Sequence, residues 1–264
     1  MKKLILGVLL STSLFASAIT NRQTDKATFT NGEKLSYRIA FSSALTGSLT
    51  AGKATLEVSP RKTNIKGHST FHVIAKGETT GFVELFYKVK DKFESYIDDE
   101  EILPLIFVRR TRENKYKKDE IVHFNHDERT AESAKKTIRI PANTQDLVSA
   151  FYYARTQNIS GLNEGESFDI PFYLDDTVYT TKVIFVGRQT IKTKMGQFNC
   201  LVFKPRVIKG KVFDEQYPAT LWVTDDANRL PVLVESKLRV GKARLELTAY
   251  EGLADNKKYL LSRK

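Results

Sequence analysis

Hydrophobic and polar residues alternate with a period of two through most of this chain. Leu35, Tyr37, Ile39 and Phe41 alternate with polar partners, as do Phe71, Val73 and Ala75, and Phe168, Ile170 and Phe172. Val183 and Phe185, Leu201 and Phe203, Leu221 and Val223, and Leu245 and Leu247 lie in further runs of the same kind. Successive side chains of a strand point to opposite faces, so the pattern predicts antiparallel strands with one face on a core and one in water. Val, Ile, Thr, Tyr and Phe dominate many runs, as a pleated, half-buried surface requires. Gly47, Gly52, Gly67, Gly187, Gly196 and Gly241 fall between runs or at their ends, where turns are expected.

One segment departs from this period. Leu147, Ala150, Phe151 and Ala154 recur at intervals of three and four, which predicts a helix over 144–156. Thr144 suits its N-cap and Asp146 its positive first turn, with Pro141 and Gly161 bracketing it. Tyr152 and Tyr153 widen the apolar surface, so this helix is expected to be buried on more than one side, against the concave face of a curved sheet. A shorter helical turn is expected around Gly81 to Phe86.

The runs on either side of the helix resemble each other. Asn31-Gly32-Glu33 opens one alternating strand and Glu164-Gly165-Glu166 another. Asp98-Asp99 precedes Leu103-Pro104, and Asp225-Asp226, just after Trp222, precedes Leu230-Pro231 at the same spacing, 127 residues later. The physics of this unit is a hairpin: Asp side chains accept backbone N–H groups in the turn, and the residue before Pro is pushed extended to begin the return strand. The expected fold is therefore mainly β. It is one curved antiparallel sheet or half-open barrel of about ten to twelve strands, built from two similar meanders. The halves, about 28–140 and 160–252, are joined by the helix into one domain, 19–255, and a basic tail follows at 256–264.

Composition adds the compartment. Lys2 and Lys3, the apolar run Leu4–Phe15 and the small-x-small Ala16-Ser17-Ala18 have the layout of a secretory signal peptide over residues 1–18, too short to span a bilayer. Export is expected, most readily to the periplasm of a Gram-negative bacterium, and no nucleic-acid partner. No cysteine stands near the cleavage site to carry a lipid. The single Cys200 cannot form an internal disulfide, so a core of its own must hold the domain; Phe198, Cys200 and Val202 share a strand face, which predicts a buried, inert thiol. The mean hydropathy of −0.34 suits a soluble domain. The formal net charge of +11 would draw the protein to anionic envelope surfaces. Its densest basic patch is Arg109, Arg110 and Arg112 with Lys115, Lys117 and Lys118, which also reads as a solvated strand pair.

Candidate chemistry is sparse. His68, His72, His123 and His126 match no metal-ligand spacing, so no metal and no cofactor is expected. His68 and His72 share a strand face, whereas His123 and His126 do not. There is no nucleophile elbow and no phosphate loop, and a hydrogen bond near the helix start accounts for Ser149 beside Asp146. Asp175-Asp176 sits where a turn is expected. The reading is non-enzymatic.

Several runs resemble the bacterial domain of unknown function 3108 family of exported proteins. They are Phe29-x-Asn31-Gly32-Glu33-x-Leu35-x-Tyr37, Gln145 to Arg155, Met195-Gly196-x-Phe198-x-Cys200, Phe203-x-Pro205, and Leu221 to Asp226 with Arg229-Leu230-Pro231. The resemblance implies an exported β-rich protein with no assigned activity. The Trp222 hairpin is also similar to a turn of the periplasmic lipoprotein carriers, half-open barrels that hold acyl chains on a concave apolar face. The resulting expectation is a protein that binds a lipid or other hydrophobic ligand in a concave sheet lined by Tyr37, Phe41, Phe151, Tyr152, Tyr153, Phe172, Phe185 and Phe203. One alternative is an envelope assembly factor that binds a protein partner through a sheet edge or the basic patch. Another is a hydrolase, which would need two or more of His68, His72, His123, Asp98 and Asp225 in one pocket.

Overall fold

The computed structural model describes residues 28–44, 47–159, 161–207, 215–239 and 241–255. The expected signal peptide, 1–18, and basic tail, 256–264, lie outside them.

The first meander comprises β1 (Lys34–Ser43), β2 (Gly47–Val58), a short β3 (Thr63–Ile65) and β4 (His68–Thr79). A helical turn, α1 (Phe82–Phe86), follows, then β5 (Lys90–Asp98), β6 (Pro104–Glu113), β7 (Tyr116–Asn125), β8 (Thr130–Ser133) and β9 (Thr137–Arg139). Helix α2 (Ser149–Thr156) leads to the second meander. This consists of β10 (Ser167–Leu174), β11 (Thr177–Thr193), β12 (Gly196–Pro205), β13 (Ala219–Thr224), β14 (Pro231–Lys237) and β15 (Lys242–Glu251). All pair antiparallel in one 15-stranded sheet of order β10-β11-β12-β13-β14-β15-β1-β2-β4-β5-β6-β7-β8-β9, with β3 beside β4. The strand count exceeds the ten to twelve expected. Each meander has six long strands, and three short ones, β3, β8 and β9, carry too little alternation to be read.

The internal repeat is physical. Gly32 N–H donates to the Val58 carbonyl and Val58 N–H to that of Glu33; Gly165 and Glu166 bracket Phe185 in the same way. Both glycines have positive φ, 84° and 88°, a conformation glycine adopts without steric cost. The Asp-Asp turns also correspond, with one shift. In the first, Asp98 Oδ1 accepts the N–H groups of Glu100 and Glu101; in the second, Asp226 rather than Asp225 accepts those of Asn228 and Arg229. Pro104 and Pro231 each begin the return strand.

The sheet coils without closing into a barrel. Its two ends meet through side chains rather than a strand ladder. The β10–β11 hairpin turns through Asp175 and Asp176, both at positive φ, as a two-residue primed turn demands. Asp175 pairs with Arg109 (3.1 Å) and Lys118, Asp176 accepts the Ser133 hydroxyl (2.6 Å), and the Tyr173 ring meets Phe124 edge-on at 5.8 Å. β10 begins the strand path and β6 to β8 lie near its other end, so only a coiled sheet brings these groups together.

Helix α2 lies between the two end regions. Tyr152 packs with Phe29, Phe71 and the first meander, Ala150 and Ala154 face a cluster on β10 to β13, and Tyr153 touches both. The helix starts later than expected. Thr144 is not its N-cap: its hydroxyl donates to the Pro141 carbonyl, and Gln145 pairs in parallel with Phe172 at the sheet edge. The start is instead held reciprocally. The Asp146 carboxylate accepts the Val148 and Ser149 N–H groups, and the Ser149 hydroxyl accepts that of Asp146. Ser95 on β5 donates to the other Asp146 oxygen at 2.6 Å.

Arg155, on the last turn of α2, forms a fully buried bidentate pair with Glu33 at 2.6 and 2.8 Å. Its Nε and Nη2 also donate to the carbonyls of Thr28 and Asn228, and its guanidinium lies 5.2 Å from the Tyr152 ring centre.

Removing one partner of such a pair leaves the other charge buried and unpaired. Arg155→Met is expected to cost about 3–5 kcal/mol in urea unfolding, with Glu33→Gln comparable. A second outcome concerns pH. Burial pushes Asp146 up from 3.8 to about 6, against its hydrogen bonds from Ser95, Ser149 and Val148. The folded state thus holds a proton that the unfolded chain has released, so this group's contribution is full below about pH 4 and is lost as pH rises through about 6. The unfolding free energy of the native protein minus that of Asp146→Asn is expected to fall by roughly 2–3 kcal/mol across that window.

Candidate functional site

Three turns at one end of the first meander enclose a groove of ≈ 780 Å³ with a mixed lining, in which Ile65, Leu103, Leu105, Ile106 and Phe124 stand beside polar and charged groups. Each is shaped by an Asn or Asp that accepts a backbone N–H. Asn64 accepts Gly67 in the β3–β4 turn, Asp98 accepts Glu100 and Glu101 in β5–β6, and Asn125 accepts Glu128 in β7–β8. Alternate hairpin turns of a meander fall at the same sheet end, which brings distant residues together here.

His68, His123 and His126 all line this groove, with Asp98, Asp99, Glu100, Glu101, Asp127 and Lys66. His68 Nδ1 lies 2.8 Å from Asp98 Oδ2. A carboxylate only accepts, so in the neutral ring Nδ1 carries the proton and Nε2 is left as an acceptor. His126 Nε2–H donates to the Pro104 carbonyl at 2.8 Å, and burial holds its pKa below the usual histidine range. His123 and His126 meet in the groove although they do not share a strand face, because β7 ends at Asn125 and the chain turns between them. His72 is elsewhere, bonded to Glu94 at 3.0 Å and stacked on Tyr96. Asp225 lies on the other meander, 3.0 Å from Arg188. Asp99 holds Lys62 and the Ser69 hydroxyl, which outweigh its burial and keep its pKa low. Among the described residues no three His, Cys, Asp or Glu side chains are grouped as a metal site would require.

The eight aromatic residues expected to line an apolar cavity mostly fill the core. Tyr37 and Tyr152 are buried, with hydroxyls that make no hydrogen bond of ordinary geometry; burial pushes both phenols well up. Phe185 and Phe203 pack on each other 5.4 Å apart, and Phe151 and Tyr153 lie against the buried clusters. Phe41 and Phe172 are half-buried, the latter 5.7 Å from Tyr179. None of the eight lines the groove, nor a second, shallower pocket around Ser42, Ser48 and Lys237.

The basic run is largely neutralised. Arg109 pairs with Asp175, Arg110 with Glu94 at 2.6 Å, Arg112 with both oxygens of Asp119, and Lys118 with Glu120 and Asp175. Lys115 and Lys117 are exposed at the β6–β7 turn. The sequence carried no sign of this, since Asp175 lies 57 residues from Lys118. Trp222 donates its indole N–H to Gln189 at 2.8 Å, which gives the hairpin motif a structural role.

The family model described as a protein of unknown function, DUF3108, matches residues 36–248. A crystal structure of a β-barrel-like protein of the domain of unknown function DUF1849 from Brucella abortus is similar in fold, with a TM-score of 0.57 at 11% identity. The match covers 84% of this chain and 97% of that one. A protein with a YmcC-like fold from Bacteroides fragilis aligns over the same shares of the two chains at 10% identity with a TM-score of 0.39. No curated protein matches the chain.

Cys200 is buried beside Phe198, and burial, with the charges of Asp226 and Asp225, pushes its thiol up to about 12. The folded protein is therefore expected to resist a thiol reagent such as Ellman's at pH 8, with one equivalent reacting promptly only in denaturant.

Proposed function

The chain belongs to the DUF3108 family of proteins of unknown function, and we propose that it is an exported, non-catalytic binding protein of the bacterial cell envelope. Export is supported by the leader pattern of Lys2, Lys3, Leu4–Phe15 and Ala16-Ser17-Ala18. Among the described residues no helix is long and apolar enough to cross a membrane.

The observation that carries the binding reading is the groove. It sets five carboxylates, of which Asp99 is paired with Lys62, against one lining lysine on a chain of net charge +11, a local reversal of sign in a concave site. Such a site attracts a polar, cation-bearing ligand, with His68 and His123 as further hydrogen-bonding groups. The convergence of His68, His123 and Asp98 meets the geometric condition for a hydrolase in part. Against catalysis, Ser69 commits its hydroxyl to Asp99, Asp98 is engaged by the turn it caps, and the acidic lining repels anionic substrates such as phosphate esters.

The packed aromatic core speaks against a lipid-like ligand held in the concave interior. The assembly-factor alternative loses most of its surfaces: β9 is three residues long, β10 carries Pro171 and is partly covered by Gln145, and four of the six basic-patch residues, Arg109, Arg110, Arg112 and Lys118, are paired with carboxylates.

Spermidine serves as the probe. Calorimetric titration is expected to show binding that weakens with salt and falls about tenfold in Glu100→Gln/Glu101→Gln, exposed positions whose loss leaves the fold intact. Binding unchanged by that variant, or lipid retained by the purified protein in mass spectrometry, would favour the interior-ligand reading instead.

A further inference from the structure

Eight large apolar side chains are exposed among the described residues, and five of them stand together at the end of the first meander opposite the groove. They are Phe82, Leu85 and Phe86, at 69%, 79% and 71% exposure, with Tyr87 and Tyr116. The first three belong to α1, which has no buried residue. This five-residue helical turn touches β2 and partly buries Val83, but Phe82, Leu85 and Phe86 remain in solvent.

The tip is nonetheless preformed. The β4–β5 connection that carries α1 is tied to the neighbouring β6–β7 turn. Asn114 N–H donates to the Lys88 carbonyl, Lys88 N–H to Asn114 Oδ1, both at 2.8 Å, and the Tyr87 hydroxyl to Glu113 at 3.1 Å. Val89 and Glu113 form an isolated antiparallel bridge. Phe82 and Phe86 pack on each other at 4.8 Å and hold the short helix in shape. Two adjacent hairpin ends are thus tied into a single unit that carries all five exposed side chains.

Lysines that flank the rings identify the occupant. Lys88 follows Tyr87, Lys115 and Lys117 stand on either side of Tyr116, and all three are exposed with Lys90; the acidic groups here are Glu84, paired with Lys88 at 3.7 Å, Glu113, Asp91 and Glu78 across from Lys90. Aromatic and leucine side chains that enter the headgroup boundary, with lysines whose long stems keep their ammonium groups at the phosphates, are how a protein rests on an anionic bilayer without spanning it. A protein partner would favour a flatter or grooved surface than a cluster of protruding rings.

We propose that the α1 tip, with the β6–β7 turn, docks the protein on an anionic phospholipid surface. Docking there leaves the groove, at the far end of the same strands, facing away from the membrane. The proposal does not depend on the groove's ligand.

The test uses the exported protein, purified with its N-terminus verified by mass spectrometry, in flotation with vesicles of phosphatidylglycerol and phosphatidylcholine or of phosphatidylcholine alone. The native protein is expected to float with the anionic vesicles at least tenfold better than Phe82→Ser/Phe86→Ser. Lys115→Gln/Lys117→Gln is expected to lose several-fold of the anionic preference and to be less salt-sensitive. All four positions are exposed, so unchanged thermal melts are expected and serve as the folding control. Equal flotation of native protein and the Phe double variant would overturn the proposal. So would a native dimer in sedimentation that the Phe double variant abolishes, because the rings would then be a contact between two copies.

Discussion

The architecture depends on one buried ion pair. Glu33 and Arg155 are both removed from water, and their attraction must offset the desolvation of two charges. It does so only with complete hydrogen bonding, and the set of partners makes the pair a junction. Thr28 brings in the segment before β1, Glu33 the turn that opens the central strand, Arg155 the helix, and Asn228 the β13–β14 turn. Asn228 in turn holds both the N–H and the carbonyl of Asp255. The bidentate geometry fixes α2 in rotation as well as position, which aims Tyr152 at one core cluster and Tyr153 at the space between two.

Around that junction the duplicated meander coils. Six long strands from each half make a sheet whose accumulated twist carries its ends toward each other. Closure by backbone pairing would have produced a barrel; closure by Asp175, Asp176 and Tyr173 produces a coil with a seam. Because a meander sends alternate turns to opposite ends, the two ends of the molecule acquire different chemistry. One gathers Asn and Asp turns, histidines and carboxylates into a groove; the other gathers α1, its rings and lysines. A single strand direction thereby separates an acidic groove from a tip of exposed rings and lysines.

Much of the fold was legible in the residues. The alternation of Leu35, Tyr37 and Ile39, the Gly-Glu openings, the Asp turns before Leu-Pro and the helical turn at 82–86 each rest on interactions within a few positions. The start of α2 was misjudged because Thr144 and Gln145 find partners outside the helix, in Pro141 and on β10, and those bonds outcompete an earlier helical turn. Six of the eight aromatic residues expected to line a cavity pack in or against the core clusters, while Phe41 and Phe172 are half-buried outside them; alternation cannot distinguish rings that line a space from rings that fill it. The basic run looked open because its acidic partners lie on strands far away in the chain or across the ladder.

The sequence by itself determined the antiparallel strands, the turn chemistry, the duplication and the leader pattern, since period and propensity are written into neighbouring residues by backbone sterics. Only the tertiary structure decided which charges neutralise each other, which histidines share a groove, and which apolar residues remain outside. Those outcomes follow from curvature summed over a fifteen-strand sheet, and no single spacing along the chain encodes that sum.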